Sequence, residues 1–148
     1  MIEIYSDGSA QPNPGLGGYG TILIYGNRRK ELSQGFVKST NNRMELMGAI
    51  AGLEALKKDG LDVTITTDSK YVVDSVERGW VFSWEKKNYV KRKNSDLWKR
   101  FLISYRKHNV TLLWVRGHNN HIENEKCDKL AVAAANSSNL IIDEGYFD

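Results

Sequence analysis

Cysteine is almost absent from this chain, apolar runs are short, and nothing in it repeats. The one cysteine, Cys127, excludes an intramolecular disulfide and suits a reducing compartment. No stretch approaches the roughly 20 apolar residues that a membrane-crossing helix needs. The first residues, Met1 to Asp7, lead directly into a strand-like pattern, without the basic and apolar regions of a secretion signal. Low-complexity tracts and composition breaks that would mark a linker are missing too. Together these absences lead to the expectation of one soluble, cytoplasmic domain over residues 1–148, with the tail 136–148 either loose or packed down. A content of 41% hydrophobic and 26% charged residues is ordinary for such a domain.

Charge is present but unevenly spread. Between residues 86 and 107, Lys86, Lys87, Lys91, Arg92, Lys93, Lys99, Arg100, Arg106 and Lys107 stand against Asp96 alone. That segment carries +8 within a chain of net +3, so the remainder carries −5. A concentrated basic segment on an otherwise acidic protein is the electrostatic footprint of a polyanion site. A solvated helix face would also account for the charge, but Trp80, Trp84, Tyr89 and Trp98 lie in or beside the run. Aromatic side chains among cations suit a nucleic-acid backbone better than solubility alone.

Residues 2–7 alternate as a strand. Residues 8–18, with Pro12-Asn13-Pro14-Gly15 at the centre, read as a wide loop. Residues 20–25 and 28–37 then complete an antiparallel meander. An apolar stripe of Leu46, Ala49, Ile50, Leu53 and Leu56 predicts a helix over 42–58. A β-branched strand over 63–67 follows, then helices over 69–78, 80–88 and 96–107, the last with Ser95 as its N-cap. A strand over 110–115 and a helix over 123–135 complete the pattern. The order predicts an α/β fold with a mixed five-stranded sheet, three strands in a meander and two parallel, flanked by helices. If strand 63–67 lies parallel to the first strand, Asp7 and Asp68 share the carboxyl edge where open α/β sheets bind ligands.

Four acids from separate segments are the candidates for chemistry: Asp7, Glu45, Asp68 and Asp128. Each has a plain structural alternative. Asp7-Gly8 is a common turn dipeptide, Glu45 has capping-box spacing from Asn42, Asp68 could cap a helix, and Asp128 could be a boundary residue on a solvated helix. As a set they mean more, because gathered carboxylates repel and persist where a cation is meant to sit among them. His118 and His121 with Cys127 do not complete a zinc set, lacking a fourth soft ligand. His118, in the Gly117-His118-Asn119-Asn120-His121 loop, suits proton transfer beside an acidic cluster.

These segments align with those of a known family. The pieces are Asp7-Gly8-Ser9 with Asn13-Pro14-Gly15, Thr40-Asn41-Asn42-Arg43-Met44-Glu45-Leu46, Thr67-Asp68-Ser69, Asp96-Leu97-Trp98, and Trp114-Val115-Arg116-Gly117-His118 running on to Cys127-Asp128. In order and spacing the chain closely resembles bacterial type 1 ribonuclease H. The resemblance implies cleavage of the RNA strand of an RNA–DNA hybrid, without sequence preference, giving 5′-phosphate and 3′-hydroxyl ends. It implies Asp7, Glu45, Asp68 and Asp128 as ligands of two Mg²⁺ ions, with Mn²⁺ as the alternative metal, and His118 as a helper in proton transfer or product departure. It implies Asn13, Asn41 and Asn42 as minor-groove contacts, Thr40 and Asn94 as the pocket for a DNA phosphate, and Trp80 and Trp84 as the aromatic face of a DNA channel.

The chain departs from familiar members in three places. Its segment between Trp84 and Trp98 is shorter, Lys70 stands where glutamine is common, and one extra residue separates Asp68 from Trp80. A trimmed basic protrusion with Lys86, Lys87, Lys91, Arg92 and Lys93 is therefore expected, together with a charged contact from Lys70. The rival readings are another nuclease of this acidic sheet-edge type and a non-catalytic hybrid or double-stranded RNA-binding module. The retained acids argue against the second. A monomer with no obligate protein partner is the expected state.

Overall fold

Asp7 is the residue around which the fold is best described, and the strand that carries it is longer than the sequence pattern suggests. The computed structural model describes residues 1–117 and 121–147. Strand β1 (Ile2–Gln11) pairs antiparallel with β2 (Gly15–Tyr25), and β2 pairs with β3 (Arg28–Ser39). Beyond helix α1 (Asn41–Glu54) come β4 (Asp62–Thr67), α2 (Lys70–Glu77), α3 (Trp80–Lys86) and α4 (Ser95–Tyr105). The chain closes with β5 (Asn109–Trp114), α5 (Ile122–Ala135) and β6 (Leu140–Ile141). The sheet order is β5-β4-β1-β2-β3-β6, with β4 parallel to β1 and β5 parallel to β4. The expected five-stranded mixed sheet is present, and the tail adds a short sixth strand parallel to β3 at Gly35↔Leu140.

The wide loop expected over residues 8–18 shrinks to residues 12–14, because β1 and β2 stay paired out to Gln11↔Leu16. The glycines there are strand residues at points of close backbone approach. Side chains alternate across a sheet, so residues 4, 6 and 8 of β1 face one layer and 5 and 7 the other. A Cβ on Gly8 would strike the Met44 backbone of α1, whereas one on Gly18 or Gly20 would strike the Ala131 or Cys127 backbone of α5. Asp7 pairs with Gly20 and so lies on the α5 face.

The larger core lies on the α1 side and includes Ile4, Met44, Leu46, Ile50, Leu53, Ile65, Trp98 and Phe101. Helix α1 sits between the sheet and α4 and is buried on nearly every side, not along one stripe. It also ends at Glu54, which leaves Leu56 beyond it. The expected N-cap of α4, Ser95, is its first helical residue; Asn94 occupies the cap in a left-handed conformation (φ 66°). No helix among the described residues is long and apolar enough to cross a membrane.

The tail is tied down at Asp143. Its carboxylate is buried and accepts from Arg43 Nε (2.7 Å), Arg43 Nη2 (2.9 Å) and Ser39 Oγ (2.7 Å). Arg43 also grips Asp96 through two bonds of 2.9 and 2.7 Å. One buried guanidinium thus joins the start of α1, the start of α4 and the tail. Burial alone would depress its pKa, yet the two aspartates hold it above the ordinary arginine value.

Candidate active site

The parallel pairing of β1 with β4 ends at Ser6↔Thr67, so the residues that follow, Asp7 on β1 and Asp68 just beyond β4, lie at the same end of that strand pair. Glu45 reaches that edge from the first turns of α1. Its approach depends on Gly8, where any side chain would collide with the Met44–Glu45 backbone. The Gly8 N–H donates to both Asp7 Oδ1 (2.8 Å) and Glu45 Oε1 (2.7 Å), so one amide draws two carboxylates together. Asp7, Glu45 and Asp68 each place an oxygen within 4.8 Å of the others.

Neither capping alternative describes these acids. The N-cap of α1 is Thr40, whose Oγ1 accepts from the Arg43 N–H (3.3 Å), and the N-cap of α2 is Ser69, whose Oγ accepts from the Val72 N–H (3.2 Å). Glu45 and Asp68 therefore have no local backbone duty that would explain their burial.

The electrostatics of the cluster are unfavourable as it stands. Burial and the charge of Asp68 push the Asp7 carboxyl up to about 7, against the pull of bonds to Glu45 and Gly8; Asp128 raises it further. Burial, then the charges of Asp7 and Asp68, raise Glu45 well above the usual carboxylate range. Asp68 Oδ1 is buried and accepts no hydrogen bond. All the donors are hard carboxylate oxygens, and an unpartnered one among them fits a divalent cation such as Mg²⁺.

Asp128 lies on α5 directly after the buried Cys127 and is half-buried. It is not one of the three mutually close acids, although its field reaches Asp7. His118 lies outside the described residues. His121, three residues on, caps α5: its Nδ1 accepts from the Asn124 N–H (3.3 Å), and its ring packs tilted against Tyr5. Burial pushes the Cys127 thiol upward, consistent with a packed side chain.

The remaining candidates, apart from Lys70 and Lys86, line two adjoining cavities. One, of about 1020 Å³, is bounded by Trp80, Trp84, Lys87, Lys91, Arg92 and Tyr71 among others; the second, of about 680 Å³, by Asn13, Thr40, Asn41 and the tail. Asn42, Lys93 and Asn94 line both, so the two are continuous. Lys86, Lys87, Lys91, Arg92 and Lys93 are all exposed, and the Arg92 guanidinium lies 5.0 Å from the centre of the Trp84 ring. The Asn94 Oδ1 accepts from Arg43 (3.3 Å) and its Nδ2 donates to the Tyr71 hydroxyl (3.0 Å), which fixes the amide plane.

Sequence reasoning missed several supporting residues. Trp114 donates its indole N–H to the Asp68 carbonyl (3.0 Å), and the Lys70 ammonium sits 4.6 Å from the centre of that indole ring. Gly117 approaches so closely that a Cβ there would lie 2.6 Å from Asp68 Oδ2. Both residues stand in the quoted Trp114–His118 run, but only spatial proximity shows that they pack around Asp68. Arg43, inside the Thr40–Leu46 motif, gave no sign of its two acidic partners 53 and 100 residues away.

Comparison with known proteins adds the lineage. The sequence model of the RNase H family matches residues 1–136. A ribonuclease H of Rippkaea orientalis is 50% identical over 98% of this chain and 91% of its own length. A ribonuclease HI of Synechocystis is 45% identical over 98% and 94%. Among solved structures, LC9-RNase H1, a type 1 RNase H with the type 2 active-site motif, superposes with a TM-score of 0.81 at 33% identity, over 90% of this chain and 71% of that one. LC11-RNase H1, solved in complex with RNA/DNA hybrid, shares the fold with a TM-score of 0.69 at 22% identity, over 91% and 96%.

Proposed function

The chain belongs to the ribonuclease H family, and on that premise we propose that it is a divalent-metal-dependent endonuclease hydrolysing the RNA strand of RNA–DNA hybrids. The observation that carries the reading is the meeting of Asp7, Glu45 and Asp68, drawn from three separate segments of the chain, within 4.8 Å. Two like charges about 4 Å apart repel by roughly 4 kcal/mol at an effective dielectric near 20. That is large beside a total stability of about 5–15 kcal/mol.

Asp7, Glu45 and Asp68 would hold the metal, Mg²⁺ or Mn²⁺, with Asp128 completing the set from α5. When bound, divalent ions supply a nucleophilic oxygen at neutral pH and offset charge on the departing 3′ oxygen. The products then carry 5′-phosphate and 3′-hydroxyl ends. His118 accepts or returns a proton as product leaves.

Substrate selection belongs to the polar strip beside the acids. The Asn41 Oδ1 accepts from the Ala10 N–H (2.7 Å) and the Asn13 Oδ1 from the Asn41 N–H (3.0 Å). With both amide oxygens engaged, the amide NH₂ groups are the ends left to donate into a minor groove, where 2′-hydroxyls distinguish RNA. Thr40 and Asn94 hold a phosphate of the DNA strand, while Trp80 and Trp84 pack on its sugars. Lys70 and the 86–93 cations add affinity without sequence preference. The reading calls for no second copy of the chain.

The test is cleavage of an end-labelled RNA–DNA hybrid with and without EDTA, beside RNA–RNA and DNA–DNA controls. Cutting of the RNA strand in the hybrid alone, abolished by EDTA, is the expected result. Cleavage that persists without divalent ions, or that favours duplex DNA, would overturn it.

A further inference from the structure

The tail beyond residue 136 lies outside the part that the family model matches, yet it reaches the proposed substrate surface. Asp143 is clamped by Arg43 and Ser39, and the Tyr146 N–H turns back to the Asp143 carbonyl (3.1 Å). Gly145 passes so close over the Arg43–Asp96 pair that a Cβ there would collide with the Asp96 carboxylate. The clamp therefore fixes where residues 145–147 can lie. They line the 680 Å³ cavity together with Asn13 and Thr40, and that cavity is continuous through Asn94 with the Trp80–Trp84 groove.

Phe147 is the last residue of that stretch and is 83% exposed, the most exposed large hydrophobic side chain of the described residues. An aromatic ring left in water, at the end of a groove already lined with indoles and cations, has the character of a stacking platform for a nucleic-acid strand. We propose that residues 145–147 are a further substrate-contacting wall, with the Phe147 ring packing on a deoxyribose or base of the DNA strand as it leaves the Thr40–Asn94 pocket. The proposal rests on the hybrid-cleavage reading above. Its occupant is a DNA strand because the wall adjoins the proposed phosphate pocket of Thr40 and Asn94 and the cationic Lys93.

The experiment compares wild type, Phe147→Ala and Phe147→Trp by fluorescence anisotropy on a labelled RNA–DNA hybrid in EDTA, with steady-state cleavage and thermal melting alongside. Phe147→Ala is expected to raise Kd about fivefold or more, the lower end of what a stacked aromatic contributes. KM should rise with it while kcat at saturation falls far less, and Phe147→Trp should restore binding. An unchanged Kd in Phe147→Ala, while wild type binds and cuts the hybrid, overturns the wall and leaves the proposed function standing. Loss of melting temperature and kcat without a change in Kd overturns it equally. Failure of wild type itself to bind or cut the hybrid would instead remove the reading on which the wall rests.

Discussion

Asp7 is only 7% exposed and lies beside two other carboxylates, so its ionisation works against the fold. Its native carboxyl holds a proton up to about pH 7, whereas the unfolded chain releases it near pH 3.9. Between those values the native state binds more protons than the unfolded one. The contribution of Asp7 to metal-free stability therefore falls as pH rises from about 4 to about 7 and levels off above. Melting scans in EDTA between about pH 5 and pH 8 should show the decline, and Asp7→Asn should flatten it. A profile that climbs with pH would contradict the assignment. The same substitution should cost far more activity than the roughly 10–100-fold expected for a group that only supports a ligand. It should melt no lower than wild type without metal. A clearly lower melting temperature would make Asp7 a structural residue. At this scale the sequence was informative because the acids occupy recognisable positions. What it left open was whether Glu45 and Asp68 were caps, since cap spacing and site spacing coincide until Thr40 and Ser69 are seen in those roles.

Helix α5 rests on a sheet face cleared by Gly18, Gly20 and Gly35, each of which would drive a Cβ into the helix backbone. That close approach sets the position of Asp128, one residue beyond Cys127. Gly20→Ala would place its Cβ 2.6 Å from the Leu130 Cβ and against the Cys127 carbonyl. Backbone cannot give way cheaply, so the change should destabilise by about 1–3 kcal/mol in urea denaturation and weaken metal-dependent cleavage. Wild-type stability with full activity would show that the helix can shift without consequence. Gly18, together with Gly8, Gly15 and Gly17, misled the sequence pattern, which read residues 8–18 as loop. Glycine marks turns and close packing alike, and only the facing helix distinguishes them. The Ser95 cap fails for a related reason: the left-handed turn at Asn94 begins the helix one residue earlier than its polar sequence suggests.

Across the whole molecule, the basic excess of residues 86–107 is smaller than its formal charge. Arg100 pairs with Glu54 and Arg106 with Glu85, each at 2.6 Å. The exposed Lys86, Lys87, Lys91, Arg92 and Lys93 remain for a polyanion. Neutralising these five should raise KM and flatten its salt dependence, by up to about 0.9 in log–log slope for each phosphate that is no longer neutralised. Turnover at saturation should change little. A KM unmoved at moderate salt would show that the segment only solvates the surface. The sequence by itself determined the order of the helices and of the first five strands, the candidate acids and the location of the cations, because these follow from periodicity and residue chemistry along the chain. Tertiary structure alone decided which acids meet, which arginines are spent on internal pairs, and that Asp143 ties the tail to Arg43 across 100 residues. Burial and long-range pairing depend on which surfaces are brought face to face, and distance along the chain carries no record of that.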